Sequence, residues 1–148
     1  MKVNELKEFL ASGFDGFEVH LDPAGERADI VLNRPPLNVI EMNQRDVLRS
    51  VFEALDQLSD VRVIVLRGVG EHFSSGGNIR GFLEASPEHV SKLADNIAAP
   101  ARCSKPVIAA NRGYTFGVGF ELSLACDFRI ASETALYALP EQKLGQIP

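Results

Sequence analysis

Twice along this chain a short apolar strand runs into a glycine-rich loop that leads to a helix, and few folds accommodate that order. Val61-Arg62-Val63-Ile64-Val65-Leu66 is β-branched and almost continuously apolar, the pattern of a strand buried on both faces. A loop from Gly68 to Gly81 follows. Ser86 and Pro87 then supply the cap and first position of a helix carrying Val90, Leu93, Ala94 and Ile97, with Pro100 near its end. Pro106 to Ala110 is the second buried strand and Gly113 to Gly119 the second loop. A helix runs on from that loop through about Ala125, before a further strand over Phe128 to Ala131. Strands joined this way make an α/β fold, and such folds carry their chemistry at the strand-to-helix turns.

Upstream, Phe17, Val19 and Leu21 alternate with polar residues, Asp22 to Glu26 supplies turn chemistry, and Ala28 to Leu32 returns as a strand. The hairpin is broken by Arg34-Pro35-Pro36. From Asn43, read as a cap, Val47, Leu48, Val51, Leu55 and Leu58 recur at helical spacing. The 148 residues suit one domain over 1–148, and a charged fraction of 24% is that of a globular protein. Fifteen basic residues face 20 acidic ones, so no broad surface suits a phosphate backbone and no nucleic acid is expected. No apolar run is long enough to span a membrane, and Met1 to Glu5 lacks a leader's apolar stretch, which predicts a cytoplasmic protein. Cys103 and Cys126 have no CxxC partner and read as buried free thiols. His20, His72 and His89 show no metal-ligand spacing and are assigned to surface or core filling, so no metal is expected.

The loops are the candidate site. In Phe73-Ser74-Ser75-Gly76-Gly77-Asn78, paired glycines allow backbone N–H groups to approach a ligand, although a turn without a ligand has the same composition. Ser75 makes a poor nucleophile, since a nucleophile elbow needs glycine where Phe73 stands. In Gly113 to Glu121, Gly117 and Gly119 precede a helix whose free N–H groups would face a ligand. It is no dinucleotide fingerprint, because Leu122 replaces the third glycine. Glu121 falls one turn into that helix, on a face shared with Gly117, Leu124 and Ala125. Burial there would raise its pKa toward neutrality; alternatively it simply complements the helix dipole. Glu141, in Leu139 to Gly145 after an apparent strand over Leu136 to Ala138, reads alone as a surface glutamate. Together, two carboxylates and two N–H-rich loops form a set of proton movers beside an oxyanion hole.

That set resembles a known family. The segments Ile30 to Asn38, Val61 to Leu66, Phe73 to Ile79, Lys105 to Gly119, Glu121 to Asp127 and Leu139 to Pro148 are similar, in order, to the motifs of the crotonase, or enoyl-CoA hydratase/isomerase, superfamily. The resemblance implies a crotonase-like spiral of ββα units and an acyl-CoA thioester substrate. Coenzyme A enters as part of that substrate, with no separate cofactor. The thioester oxygen would be held by the N–H groups of Gly77 and Val118, with Glu121 and Glu141 as the catalytic glutamates. The nucleotide would lie against Leu37, Asn38, Val39 and Ile40 and the loop of Gly76, Asn78 and Ile79. Subunits would form a homotrimer or hexamer when full length.

Three departures accompany it. Val118 stands where members commonly have glycine, which requires a negative φ and narrows the space above the carbonyl. Asn78 replaces a frequent Asp, with an effect expected on loop structure more than on proton transfer. Relatives also continue well beyond the position of Pro148, into helices that close the acyl pocket and join subunits, so the chain reads as truncated before that region. Both glutamates being present favours hydration of a 2-enoyl-CoA. An isomerase using Glu141 alone, a thioester or C–C hydrolase, and an acyl-CoA-binding chain without turnover are the alternatives.

Overall fold

The computed structural model describes residues 2–148; Met1, part of the leader reading, lies outside them. A short helix α1 (Val3–Ala11) precedes the hairpin of β1 (Phe17–Leu21) and β2 (Arg27–Leu32). The strands pair antiparallel with Phe17 opposite Leu32. Their turn is closed by Asp22, whose Oδ1 accepts from the Arg27 N–H at 3.0 Å. After α2 (Met42–Gln57) comes β3 (Val63–Gly68), then a run of four short helices and β4 (Val107–Asn111). The remainder is β5 (Tyr114–Phe116), α7 (Val118–Ala125), β6 (Phe128–Ala131), β7 (Leu136–Ala138) and a 3-10 turn over Pro140–Leu144.

Five strands form the main sheet in the order β1-β2-β3-β4-β6, parallel from β2 onward, with Ile30 beside Leu66 and Leu66 beside Ala109. The second sheet pairs β5 with β7, also in parallel, Thr115 beside Tyr137. Chain order thus steps from one small layer to the next, the ββα spiral that the resemblance implies. The core lies between the main sheet and α2: Ile30, Leu32, Ile64 and Leu66 meet Leu48, Val51, Phe52 and Leu55, all enclosed. Their spacing on α2 is that of one helical face. No helix among the described residues is long and apolar enough to cross a membrane.

Three expectations are corrected. The cap of α2 is Glu41, two residues before the expected cap at Asn43, and it donates its N–H to Gln44 Oε1 at 3.2 Å. Strand β3 is enclosed on one face only; Val63 and Val65 are half-buried because the opposite face carries charge. There Arg67 and Arg27 both contact Asp29, at 3.1 and 2.7 Å. The expected helix from Pro87 breaks into α4 (Pro87–Ser91), α5 (Leu93–Ile97) and α6 (Ala99–Arg102), preceded by α3 (Ile79–Glu84). The Ser86 cap holds, its Oγ accepting from the His89 N–H at 3.2 Å. Pro100, expected near the end of one long helix, is the second residue of the separate α6, in a first turn where its missing N–H has no partner to lose.

Candidate active site

The loop after β3 is held on both sides by backbone pairing. Ser75 N–H donates to Leu37 O at 2.8 Å and Ile40 N–H to Gly76 O at 2.9 Å, while Ser74 and Phe116 bond Tyr114 and Ser74 across to β5 at 2.9 and 3.0 Å. Gly76 has φ 112°, and a Cβ there would press on Phe116 O at 3.2 Å. The second loop turns at Gly117, with φ 51° and ψ −128°, donating to Ala138 O at 2.9 Å and accepting from Glu121 at 2.9 Å to start α7. The two loops are in direct contact: a Cβ on Gly77 would lie 3.5 Å from Val118 Cγ1, and one on Gly117 would lie 3.7 Å from Gly76 Cα.

Among the described residues, neither the N–H of Gly77 nor that of Val118 donates a hydrogen bond within the protein. Val118 N–H is an orphan of the first helical turn, and both groups belong to residues lining a cavity of about 880 Å³. Val118 itself is buried in the core, so much of its side chain is taken up by packing. The cavity is walled mainly by apolar groups, including Phe82, Leu93 and Ile97, and holds both glutamates.

Glu121 is half-buried, and its carboxyl is pushed upward by burial and, secondarily, by the charge of Glu141; Arg45 opposes them. Leu124, expected to help bury it, is exposed, so the enclosure comes from the cavity. Glu141 rides on the 3-10 turn, its Oε2 enclosed without a hydrogen-bond partner among the described residues. A Cβ on Gly117 would sit 2.9 Å from Glu141 Oε1, so the glycine leaves room for the carboxylate as well as for the turn. The structure therefore brings Gly76, Gly77, Asn78, Ile79, Val118, Glu121 and Glu141 to one cavity.

The segment at 37–40 divides. Asn38 is 1% exposed, has φ 50°, and accepts from Arg34 N–H while donating to Val69 O and His72 O at 3.0 and 2.8 Å. Ile40 is wholly enclosed. Neither has side-chain surface for a nucleotide, and that expectation narrows to Leu37 and Val39. Asn78 acts on the loop: Oδ1 caps α3 through the N–H groups of Arg80 and Gly81, and Nδ2 donates to Glu41 at 3.0 Å. Cys126 is buried as expected and Cys103 half-buried; burial pushes their thiols to about 12 and about 11, which leaves them inert as nucleophiles.

One residue was missed. Arg45 lies on the buried face of α2, three residues before Leu48, and lines the cavity beside Gly77. Its signal was a charged residue at an apolar-stripe position, visible once α2 is extended back from Val47.

A parallel-stranded α/β spiral with two glycine loops and two glutamates on one cavity is the architecture of the crotonase superfamily. Comparison with known proteins narrows this: the profile of the enoyl-CoA hydratase/isomerase family matches residues 26–148, and the chain belongs to that family. It is 36% identical over 134 residues to carnitinyl-CoA dehydratase of Proteus mirabilis, covering 88% of this chain and 51% of that protein. The same-named protein of Escherichia coli K12 is 37% identical over 137 residues, with 88% and 51% covered. Among solved structures, an enoyl-CoA hydratase/carnithine racemase from Magnetospirillum magneticum superposes with a TM-score of 0.81 at 27% identity, covering 92% of this chain and 53% of that one. Enoyl-CoA hydratase from Bacillus anthracis gives 0.79 at 31%, with 90% and 54% covered. The chain spans about half the length of the curated relatives it matches.

Proposed function

We propose that this chain carries the active site of an enzyme that adds water to a 2-enoyl-CoA thioester through an enolate. The observation that carries the reading is the pair of unpartnered N–H groups, Gly77 and Val118, in the cavity that also holds Glu121 and Glu141. The thioester oxygen sits between the two N–H groups. As water adds to Cβ, the π electrons move onto that oxygen, and each donor contributes about 2.7–4 kcal/mol of stabilisation. Glu121 takes the proton of the attacking water, and its raised pKa makes it a stronger base. Glu141 protonates Cα as the electron pair returns from oxygen. The water's OH is then on Cβ and the new C–H bond on Cα. Two relatives are named as dehydratases, and dehydration is the reverse of hydration, which supports a lyase over a hydrolase. The nucleotide runs along Leu37, Val39 and Gly76 to Ile79, and assembly as a trimer or hexamer would cover the exposed Phe128 and Ile130 of the edge strand.

The test is hydration and double-bond migration of enoyl-CoA esters by Glu121→Gln and Glu141→Gln. Each variant should lose roughly 10²–10⁴-fold in turnover with substrate affinity almost unchanged. The double variant should lose far less than the product, since both groups act on one water. Near-normal turnover by Glu121→Gln with loss in Glu141→Gln would replace this reading by the one-base isomerase.

A further inference from the structure

Arg45 presents a physical problem that the two-donor reading leaves unanswered. Its side chain rises from the first turns of α2 into the wall of the cavity and is 6% exposed. Among the described residues its guanidinium makes no hydrogen bond, and Nε is fully enclosed with no partner. The charges that act on it are Glu121 on α7, then Glu41 at the cap of its own helix and Asp46 within it; Glu141 shares the cavity. Burial pulls the guanidinium down from its ordinary range, the signature of a cation short of solvation, and a guanidinium this basic stays charged regardless. An enclosed cation with open donors is costly unless an acceptor arrives.

Its position says which acceptor. The Nη2 group lies so close to Gly77 that a methyl group on that glycine would collide with it. Gly77 is the residue whose free N–H is assigned to the thioester oxygen. A guanidinium beside Gly77 would stand near the oxygen where negative charge develops as the enolate forms, and its attraction would grow with that charge. Such an interaction favours the enolate over the neutral thioester. Resting on the hydratase reading above, we propose that Arg45 is a catalytic residue, a charged third donor to the enolate oxygen beside the backbone N–H groups of Gly77 and Val118. The same charge helps keep Glu121 ionised against burial and Glu141.

A bound 3-oxoacyl-CoA tests this without turnover. Its Cα proton leaves to a base, the C–H electron pair becomes the enolate, and the conjugated enolate is read by ultraviolet absorbance as pH is raised. The unmodified chain should bind butanoyl-CoA more tightly than butanoate and should lower the enolisation midpoint of acetoacetyl-CoA. Arg45→Met should raise that midpoint by about one pH unit, the scale of one nearby charge. Butanoyl-CoA affinity should change less than about threefold, as expected for an interaction confined to the charged state. Arg45→Lys should recover part of the shift. Because Met removes an unpaired buried charge, its variant should resist urea as well as or better than the unmodified chain. An unmoved midpoint in a folded Arg45→Met chain overturns the inference. An unmoved midpoint with weakened binding of glutaryl-CoA overturns it too, giving the guanidinium to an acyl carboxylate. Failure of the unmodified chain to bind any of these thioesters removes the parent reading, and this inference with it.

Discussion

Glycine 117 is where backbone geometry and catalytic geometry meet, and replacing it by alanine separates the two. At φ 51° and ψ −128° the residue lies outside even the left-handed helical basin, so an L side chain is strained there by about 1–3 kcal/mol. The added Cβ would also stand 2.9 Å from Glu141 Oε1, against an ordinary contact near 3.4 Å, so the carboxylate must retreat by several tenths of an ångström. Displacements of about 1 Å at reacting groups cost on the order of 10²-fold in rate, so this retreat should lower enoyl-CoA hydration by about tenfold. Gly145, at the C-terminal end of the 3-10 turn that carries Glu141, is the control. It has φ 73° and ψ 20°, and a Cβ there meets nothing within 4 Å among the described residues. Gly145→Ala should cost about 1 kcal/mol in urea unfolding with kcat within about threefold of normal. Gly117→Ala should lose both stability and kcat. Equal stability losses with unimpaired kcat in Gly117→Ala would refute the claim that this glycine makes room for Glu141.

Two further outcomes follow from the same geometry. Glu121 has a pKa raised above its ordinary 4.5, so the folded chain holds its proton more tightly than the unfolded chain. Its favourable contribution is therefore complete below the unfolded pKa and is lost as pH rises through the folded one. Glu121→Gln should flatten that fall in a pH series of urea midpoints, and an unchanged slope would contradict the shift. Asn38→Ala removes two donated hydrogen bonds and one accepted one at a residue with φ 50°, and should cost about 2–4 kcal/mol, measured by urea unfolding. A loss below about 1 kcal/mol would show that the buried amide does not hold the glycine loop.

Much of the molecule was legible in the chain because the determining signals are local. The period-2 alternation at 17–21, the apolar runs at 61–66 and 106–110 and the glycines before α7 each announce an element through backbone sterics and burial. The family motifs likewise located the two loops and the two glutamates. Tertiary structure decided the rest. That Asn38 faces inward as a bracket, and that β3 is charged on one side, depends on which strands become neighbours, and strand order is set by contacts remote in sequence. The convergence of Gly77 and Val118, with Glu141 against Gly117, comes from pairing β5 with both the first loop and β7, which no window of residues contains. Arg45 is the clearest case. Helical periodicity assigns it to the inner face of α2, yet only the packed chain shows that this face meets a cavity, so that the sequence's charge becomes a donor without a partner.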